Sequence, residues 1–290
     1  MIATETPKPA SSVEALVAAQ RQIPPAAHVL ANLQRLLADP NSDLEDIAKL
    51  IQLDAALAAR VVHVSNSAWF GRTASCETIL DAVRQIGFRE MYHIVAVVGS
   101  AAIMSQPVLT YRRDAMAAWR ESVSCAIAAE LLAERCGEDG MAAYLAGLLH
   151  AVGRLAINQH IAGGGAAGIR ELRDEGFPLD FSGAEFALFG FSQADVAAAM
   201  LRQWKFSVSV SEPIRLQYDP LEIQEPMDRI GAALYGGRLL RSVLCGKLDV
   251  PAVPGEGEIF GLLRMTRDDV LAFLPELQQR MSHAQRITKA

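Results

Sequence analysis

Two polar side chains, His150 and Arg154, interrupt the most apolar helical pattern in the sequence. They lie four positions apart within Met141–His160, so they share one face of the predicted helix. A histidine and an arginine so placed could bind an anion, with the arginine as the contact to a phosphate group. The alternative, which we favour, is a buried histidine that only forms a hydrogen bond to a neighbouring helix. The pattern marks a candidate site and leaves its role open.

The helix that carries this pair is apolar around most of its circumference, which predicts a buried central helix. Gly147 and Ala151 on it would allow a neighbouring helix to approach closely. Elsewhere, apolar spacing and capping residues predict further helices and no convincing strand. These helices are Ala26–Ala38, Asp43–Gln52, Ala55–Asn66, Glu77–Ile86, Glu90–Met104, Trp119–Arg135, Ser182–Phe189, Ser192–Lys205, Ser211–Gln217 and Met227–Leu244, with two short ones after Pro251–Gly257. We therefore expect an all-α protein.

Two further motifs invite a functional interpretation. Asn66 ends a predicted helix and Trp69 lies in the aromatic turn after it; we favour a capping asparagine and a core aromatic over a binding site. Gly163–Gly168 satisfies the GxGxxG pattern, but a dinucleotide site needs that pattern after a strand. Here it follows a helix, which favours a helix connection.

The composition is that of a folded protein. Hydrophobic residues make up 51% of the chain and charged residues 21%, which excludes wholesale disorder. The 33 acidic residues outnumber the 27 basic ones, giving a net charge of -6. Because nucleic acids and anionic membranes attract basic surfaces, we expect neither as a partner. No apolar run approaches the ~18 residues of a membrane span.

The four cysteines contain no CxxC pair, which argues against a zinc knuckle or a thioredoxin-like motif. Scattered cysteines in apolar patterns are typical of buried thiols in a reducing compartment. Residues 1–12 lack the charged start and apolar run of a secretory signal. We therefore expect a cytoplasmic protein, with residues 1–22 loosely ordered.

Several ordered motifs resemble the HDOD (HD-related output domain) family. They are Ile23-Pro24-Pro25, Asp39-Pro40, Leu44–Ala48, Asp54, Asn66–Gly71, Ile79–Gly87, Glu185, Gly190–Val196 and Trp204–Phe206. Leu148–Leu155 is similar to the GLLHDIGK motif of the wider HD phosphohydrolase superfamily. The resemblance spans residues 23–218 and departs from the family at Gln193, where histidine is common.

The resemblance implies a metal site whose ligand positions are mostly replaced in this chain. HD phosphohydrolases hold a divalent ion with a histidine, a His-Asp pair and a later aspartate, and the ion activates water for attack on phosphorus. His150 keeps its type. The replacements are Glu121 for the first histidine, Ala151 for the paired aspartate, Gln217-Tyr218 for a frequent His-His pair, and Ala232-Ala233 near the last aspartate. We expect no metal, no cofactor and no metal-dependent hydrolysis.

The break at Pro107 and Thr110–Asp114 divides the chain into two helical subdomains. We assign them to residues 23–107 and 108–245, the second resembling an HD-domain core, with residues 246–290 as a C-terminal helical extension. Ligand sites tend to form between such units. We therefore expect Asn66–Gly71 to face His150 and Arg154 across a cleft. The candidate binding residues are Asn66, Trp69, Glu121, His150 and Arg154.

The HDOD resemblance implies a noncatalytic regulatory module of bacterial signalling. Such domains accompany kinases, receivers and cyclic-di-GMP enzymes, and this chain would act on such protein partners in trans. Two alternatives stay open: a metal-dependent phosphohydrolase with residual activity, and a small-molecule or nucleotide sensor that uses a relic pocket. The sequence does not indicate an oligomeric state.

Overall fold

The computed structural model describes residues 12–20, 24–39, 41–66, 76–104, 106–164, 171–246 and 250–289. Within these ranges the regular elements are helices, and the one β-bridge, between Val108 and Arg113, is isolated. The all-α fold class is therefore confirmed. Short 3-10 helices at Leu109–Tyr111 and Pro220–Glu222 join longer ones.

The helices follow the predicted order, with small shifts at their ends. They are α1 Val13–Ala19, α2 Pro25–Ala38, α3 Leu44–Gln52, α4 Ala55–Ser65, α5 Ile79–Ile86, α6 Phe88–Ile103, α7 Ala115–Arg135, α8 Gly140–Leu149, α9 Gly153–Ala162, α10 Ser182–Phe189, α11 Gln193–Gln203, α12 Val208–Arg215, α13 Asp228–Leu244, α14 Glu256–Leu262, α15 Arg267–Leu271 and α16 Leu274–Lys289.

Helices α2 to α6 form the first half of the fold. Side-chain caps fix where several of them begin: Asp43 accepts from the backbone of Glu45 and Asp46, and Asp54 caps α4 in the same way. A cap of this kind contributes about 1 kcal/mol. Helices α2, α4 and α5 then pack on α6. The buried side chains of this half continue into those of the second half as one hydrophobic core.

Helix α7 is the axis of the second half, with α8 and α13 packed along it. Gly147 makes the α7–α8 contact possible, because a Cβ at this position would lie 2.5 Å from the Cα of Ala126. The close approach predicted at Gly147 is therefore confirmed. Helices α11 and α12 close the other side of α8 and α9.

The central helix is not continuous, contrary to expectation. After Leu149 the backbone switches to i→i+3 hydrogen bonds, such as that from the Arg154 amide to the Ala151 carbonyl at 3.1 Å, and α9 starts at Gly153. The expectation that no apolar run approaches a membrane span is wrong, because the combined stretch Gly140–Ala162 is long and apolar enough by composition alone. However, 89% of its most apolar window is buried within the protein.

Both chain ends contribute helices that the sequence did not predict. The expectation of a loosely ordered N-terminus is wrong for Val13–Ala19, because α1 buries Leu16 and Val17 against α9 and α11. The C-terminal extension holds α16 in addition to the two short helices, and α16 packs on α7. The cysteines are free thiols, but only Cys76 and Cys125 are buried.

Candidate functional site

A buried ionic cluster centred on Asp180 lies beside the central helix. Asp180 precedes α10 in a left-handed conformation (φ 52°) and is 4% exposed. Its carboxylate accepts hydrogen bonds from Arg238 at 3.0 Å and from Arg241 at 2.9 Å, both on α13. Arg154 of α9 approaches it to 3.7 Å. Three guanidinium groups from two helices therefore converge on one loop carboxylate.

His150 is fully buried at the edge of this cluster. Its Nδ1 lies 2.7 Å from the Gly147 carbonyl oxygen, which can only accept, so Nδ1 carries the proton. The other ring nitrogen, Nε2, then accepts from Nη1 of Arg241 at 3.2 Å. Burial lowers the pKa of His150 well below its ordinary value, and the neighbouring arginines lower it further. His150 is therefore a neutral imidazole that faces a guanidinium cation.

The break in the central helix has a structural role at this site. Because the Arg154 amide bonds to Ala151, the carbonyl of His150 is released from the helical ladder. It accepts from the side-chain amides of Gln193 at 3.0 Å and Gln217 at 2.9 Å. These two amides tie α11 and the turn after α12 to one backbone oxygen in the turn between α8 and α9.

The aromatic and acidic neighbours complete the arrangement. Glu121 of α7 accepts from Arg113 at 2.5 Å and lies 3.4 Å from Arg154. The Arg154 guanidinium stands over the ring of Phe181 at 5.1 Å, and that of Arg238 stands over Tyr218 at 4.6 Å. Such stacking favours the charged form of a desolvated guanidinium. The space beside Arg154, between Glu121, Phe181 and Arg241, is a small pocket of about 30 Å³.

Electrostatics keep Asp180 ionised inside the protein. Burial alone would raise its pKa, but the charges of Arg241, Arg238 and Arg154 outweigh burial and hold the pKa well below its usual range. Glu185 nearby has its pKa raised, mainly by burial, although Tyr111 and the Gln193 amide donate hydrogen bonds to it. The cluster is thus a set of paired, buried charges.

Three of the predicted binding residues, Glu121, His150 and Arg154, do come together here. Asn66 does not: its side-chain amide bonds to the backbone of Cys76, at 2.7 Å to the amide and 2.9 Å to the carbonyl. Trp69 lies outside the described residues, and so does most of the Gly163–Gly168 motif. Residues 67–71 also lie outside the described residues, so the expected cleft stays a prediction; on its other side, His150 is completely enclosed and Arg154 is 4% exposed. Whether these residues bind a ligand stays a prediction.

The replaced metal positions also meet at this place. Gln217 donates to His150, and Tyr218 accepts from Gln193 at 3.1 Å. Over the ranges that the structure covers, no three His, Cys, Asp or Glu side chains are grouped so that they could hold a metal ion. Asp180, Arg238 and Arg241 were not predicted, although Arg238 and Arg241 lie three apart in the apolar part of a helix, a signal similar to the one that marked His150 and Arg154.

Comparison with protein families matches residues 23–220 to the HDOD domain. The chain belongs to the HDOD family. The family resemblance inferred from the sequence motifs is thereby confirmed, with nearly the same bounds. An uncharacterised protein of Treponema pallidum (strain Nichols) is 30% identical to this HDOD chain over 156 residues, which are 53% of this chain and 29% of that protein.

Solved structures share the HDOD fold over most of the chain. A protein of Marinobacter aquaeolei VT8, provisionally named for signal transduction, superposes with a TM-score of 0.69 at 22% identity, over 92% of this chain and 58% of that one. An HDOD protein of Geobacter sulfurreducens gives 0.65 at 22% identity, over 89% of both chains. A protein of Shewanella amazonensis, provisionally named a phosphohydrolase, gives 0.65 at 21% identity, over 96% and 98%. At these identities the similarity establishes the fold alone.

Proposed function

We propose that this HDOD protein is a noncatalytic regulatory component of bacterial signal transduction that acts through protein partners in the cytoplasm. The observation that carries the proposal is the contact between Arg241 and Nε2 of His150. In a metal-dependent relative, the free nitrogen of such a histidine would ligate the metal ion. Here the positive charge next to Nε2 of His150 comes from the guanidinium group of Arg241. Asp180 balances that charge.

The remaining ligand positions support the same conclusion. Divalent ions need several nitrogen or carboxylate ligands to offset the loss of their hydration. Glu121 is paired with Arg113 and Arg154, while Gln217 and Ala151 offer no charge. Metal binding would have to break this ionic cluster first, which argues against residual phosphohydrolase activity.

The size of the small pocket beside Arg154 argues against a nucleotide bound among these buried charges. Ligand pockets commonly measure roughly 300–1,000 Å³. The cavity beside Arg154 measures about 30 Å³, which is room for a water or two. Regulation through protein contacts is therefore better supported than a nucleotide sensor at this relic site. The provisional signal-transduction name of the Marinobacter relative agrees with this role.

The first test restores the missing carboxylate. Ala151 is 6% exposed and borders a cavity of about 10 Å³ that it shares with Arg154 and Leu155. Ala151→Asp is expected to lower the free energy of unfolding by a few kcal/mol, because a charge becomes buried with incomplete pairing. It should produce no hydrolysis of bis-p-nitrophenyl phosphate with manganese. Ala151→Asn separates the effect of volume from that of charge. Stoichiometric manganese in elemental analysis of the wild type, together with hydrolysis by the wild type, would refute the noncatalytic assignment.

The second test addresses the partners. The tagged full-length protein is crosslinked in its host cell, and the captured proteins are identified by mass spectrometry against the tag alone. We expect enrichment of kinases, receivers or cyclic-di-GMP enzymes. Capture of metabolic enzymes in place of these classes would contradict a signalling role.

A further inference from the structure

A second polar site lies on the other side of α7, away from the His150 cluster. Helices α6, α7, α8 and α16 enclose a groove of about 770 Å³, within the size range of small-molecule sites. Its apolar walls include Val97 of α6 and Ile127 of α7. A buried carboxylate, Glu130, and a buried phenol, Tyr144, form part of its floor.

Glu130 is 2% exposed and is only half engaged by the protein. His93 Nε2 lies 2.8 Å from its Oε1, and Arg89 Nη2 lies 2.9 Å from the same atom. The second oxygen, Oε2, has no hydrogen bond within the described part of the chain. It is not among the fully enclosed polar atoms that lack a partner, so it borders the groove.

The hydroxyl of Tyr144 is a second polar group at the groove that forms no hydrogen bond within the described residues. Its side chain is 3% exposed, and its ring contacts that of His93 with 4.8 Å between centroids. Over the residues described, its hydroxyl forms no hydrogen bond, whereas the neighbouring Tyr92 hydroxyl donates to the Met141 carbonyl at 2.9 Å. Like Oε2 of Glu130, this hydroxyl is not among the fully enclosed polar atoms that lack a partner, so it borders the groove and is available to a ligand.

The charges around the groove favour a cationic ligand. Four glutamates line it, against two arginines and His93. Burial lowers the pKa of His93, but its hydrogen bonds to Glu130 and Glu90 raise it more, to about 9, so the imidazole is charged at neutral pH. The carboxylates still outnumber the cations by one. Glu276 on the rim is paired with Arg280 at 2.8 Å, so the excess negative charge belongs to the carboxylates nearer the floor.

We propose that this groove binds a small organic cation that carries an amine or amidinium group on an apolar body. The N–H groups of the cation donate to Oε2 of Glu130 and to the hydroxyl oxygen of Tyr144, and its apolar part packs on Val97 and Ile127. The site is separate from the His150 cluster and does not depend on the proposed regulatory function.

The experiment compares three probes of nearly the same shape with the full-length protein. Benzamidine is a cation, benzamide is neutral and benzoate is an anion; their binding is followed by calorimetry and ligand-observed NMR. Benzamidine is expected to bind at least tenfold more tightly than benzamide, the usual effect of one charge-assisted hydrogen bond. Benzoate is expected not to bind. Equal binding of the three probes, or no benzamidine binding at millimolar concentration, would overturn the proposal.

Two variants locate the effect. Glu130→Gln keeps the shape of the side chain and is expected to reduce the preference for benzamidine over benzamide to less than about threefold, since the charge is gone. Tyr144→Phe removes one oxygen from a buried ring and is expected to weaken benzamidine binding about three- to tenfold while the fold is kept. Glu45→Gln on α3 is the control and should change nothing. If Tyr144→Phe and a folded Glu130→Gln both bind benzamidine as the wild type does, the site is not this groove.

Discussion

Asp180→Asn is expected to lower the free energy of unfolding by about 3–5 kcal/mol, the largest effect of any single polar substitution in this protein. The change keeps the shape of the side chain but removes the only negative charge that contacts both Arg238 and Arg241 in the described structure. Arg238 is fully buried and Arg241 nearly so, and neither can lose its proton. Urea unfolding followed by circular dichroism measures the loss.

Low pH should also lower the free energy of unfolding of the wild type, because it protonates Asp180. The pKa of Asp180 is depressed in the folded protein, so its contribution is complete above the unfolded value near 4 and is lost as the pH falls below it. Between pH 6 and pH 3 the wild type should therefore lose more stability than Asp180→Asn. Asp268→Asn, at an exposed aspartate on α15, is the matched control and should cost less than about 1 kcal/mol. A similar loss in both variants would show that the ionic cluster contributes little.

Gly153→Ala is expected to be the most damaging conservative change at a helix contact. A Cβ on Gly153 would lie 2.0 Å from the Gln193 carbonyl oxygen and 2.8 Å from the Ala197 amide. Both are backbone atoms of α11 and cannot rotate away, so α9 and α11 must separate. Overpacking of this kind costs about 1–3 kcal/mol and more where backbone must move. The displacement would also disturb the Gln193 side chain that holds the His150 carbonyl.

A second glycine separates this steric effect from helix propensity. Gly261 lies within α14, and a Cβ there would meet no atom within 4 Å. Gly261→Ala should therefore raise the free energy of unfolding by roughly 0.5–1 kcal/mol, the intrinsic preference of a helix for alanine. Thermal unfolding of the two variants should move the melting temperature in opposite directions. A neutral Gly153→Ala would mean that α9 and α11 are not packed as closely as described.

The sequence predicted the parts of the site that regular elements position. His150 and Arg154 share a face because helical spacing places them there, and Glu121 and Gln217 were identified from family motifs. The structure groups all four. The break after Leu149 could not be predicted, because an apolar pattern continues through it and the reason for the break is a tertiary one. Two glutamine side chains, from α11 and the turn after α12, compete with the helix for one carbonyl oxygen.

Asp180 was missed for a different reason. It lies in an irregular segment before α10, where no periodicity fixes the direction of a side chain, and it adopts a left-handed conformation that is rare outside glycine. Its arginine partners on α13 lie beyond the recognised motifs. Two buried arginines on one helix need an acidic partner. That this partner is Asp180 could be seen only in the three-dimensional structure.

Helix α13 lies outside the range that matches the HDOD family, yet it is part of the folded core. The match ends at residue 220, yet α13 follows it, with Ala232, Ala233 and Leu239 completely buried and the helix packed along α7. A fragment trimmed to residues 23–220 would leave that side of α7 open to water and remove Arg238 and Arg241 from Asp180. The similarity to the Geobacter structure likewise covers 89% of this chain, more than the matched range. The residues that identify the family by sequence are therefore fewer than the residues that must fold together.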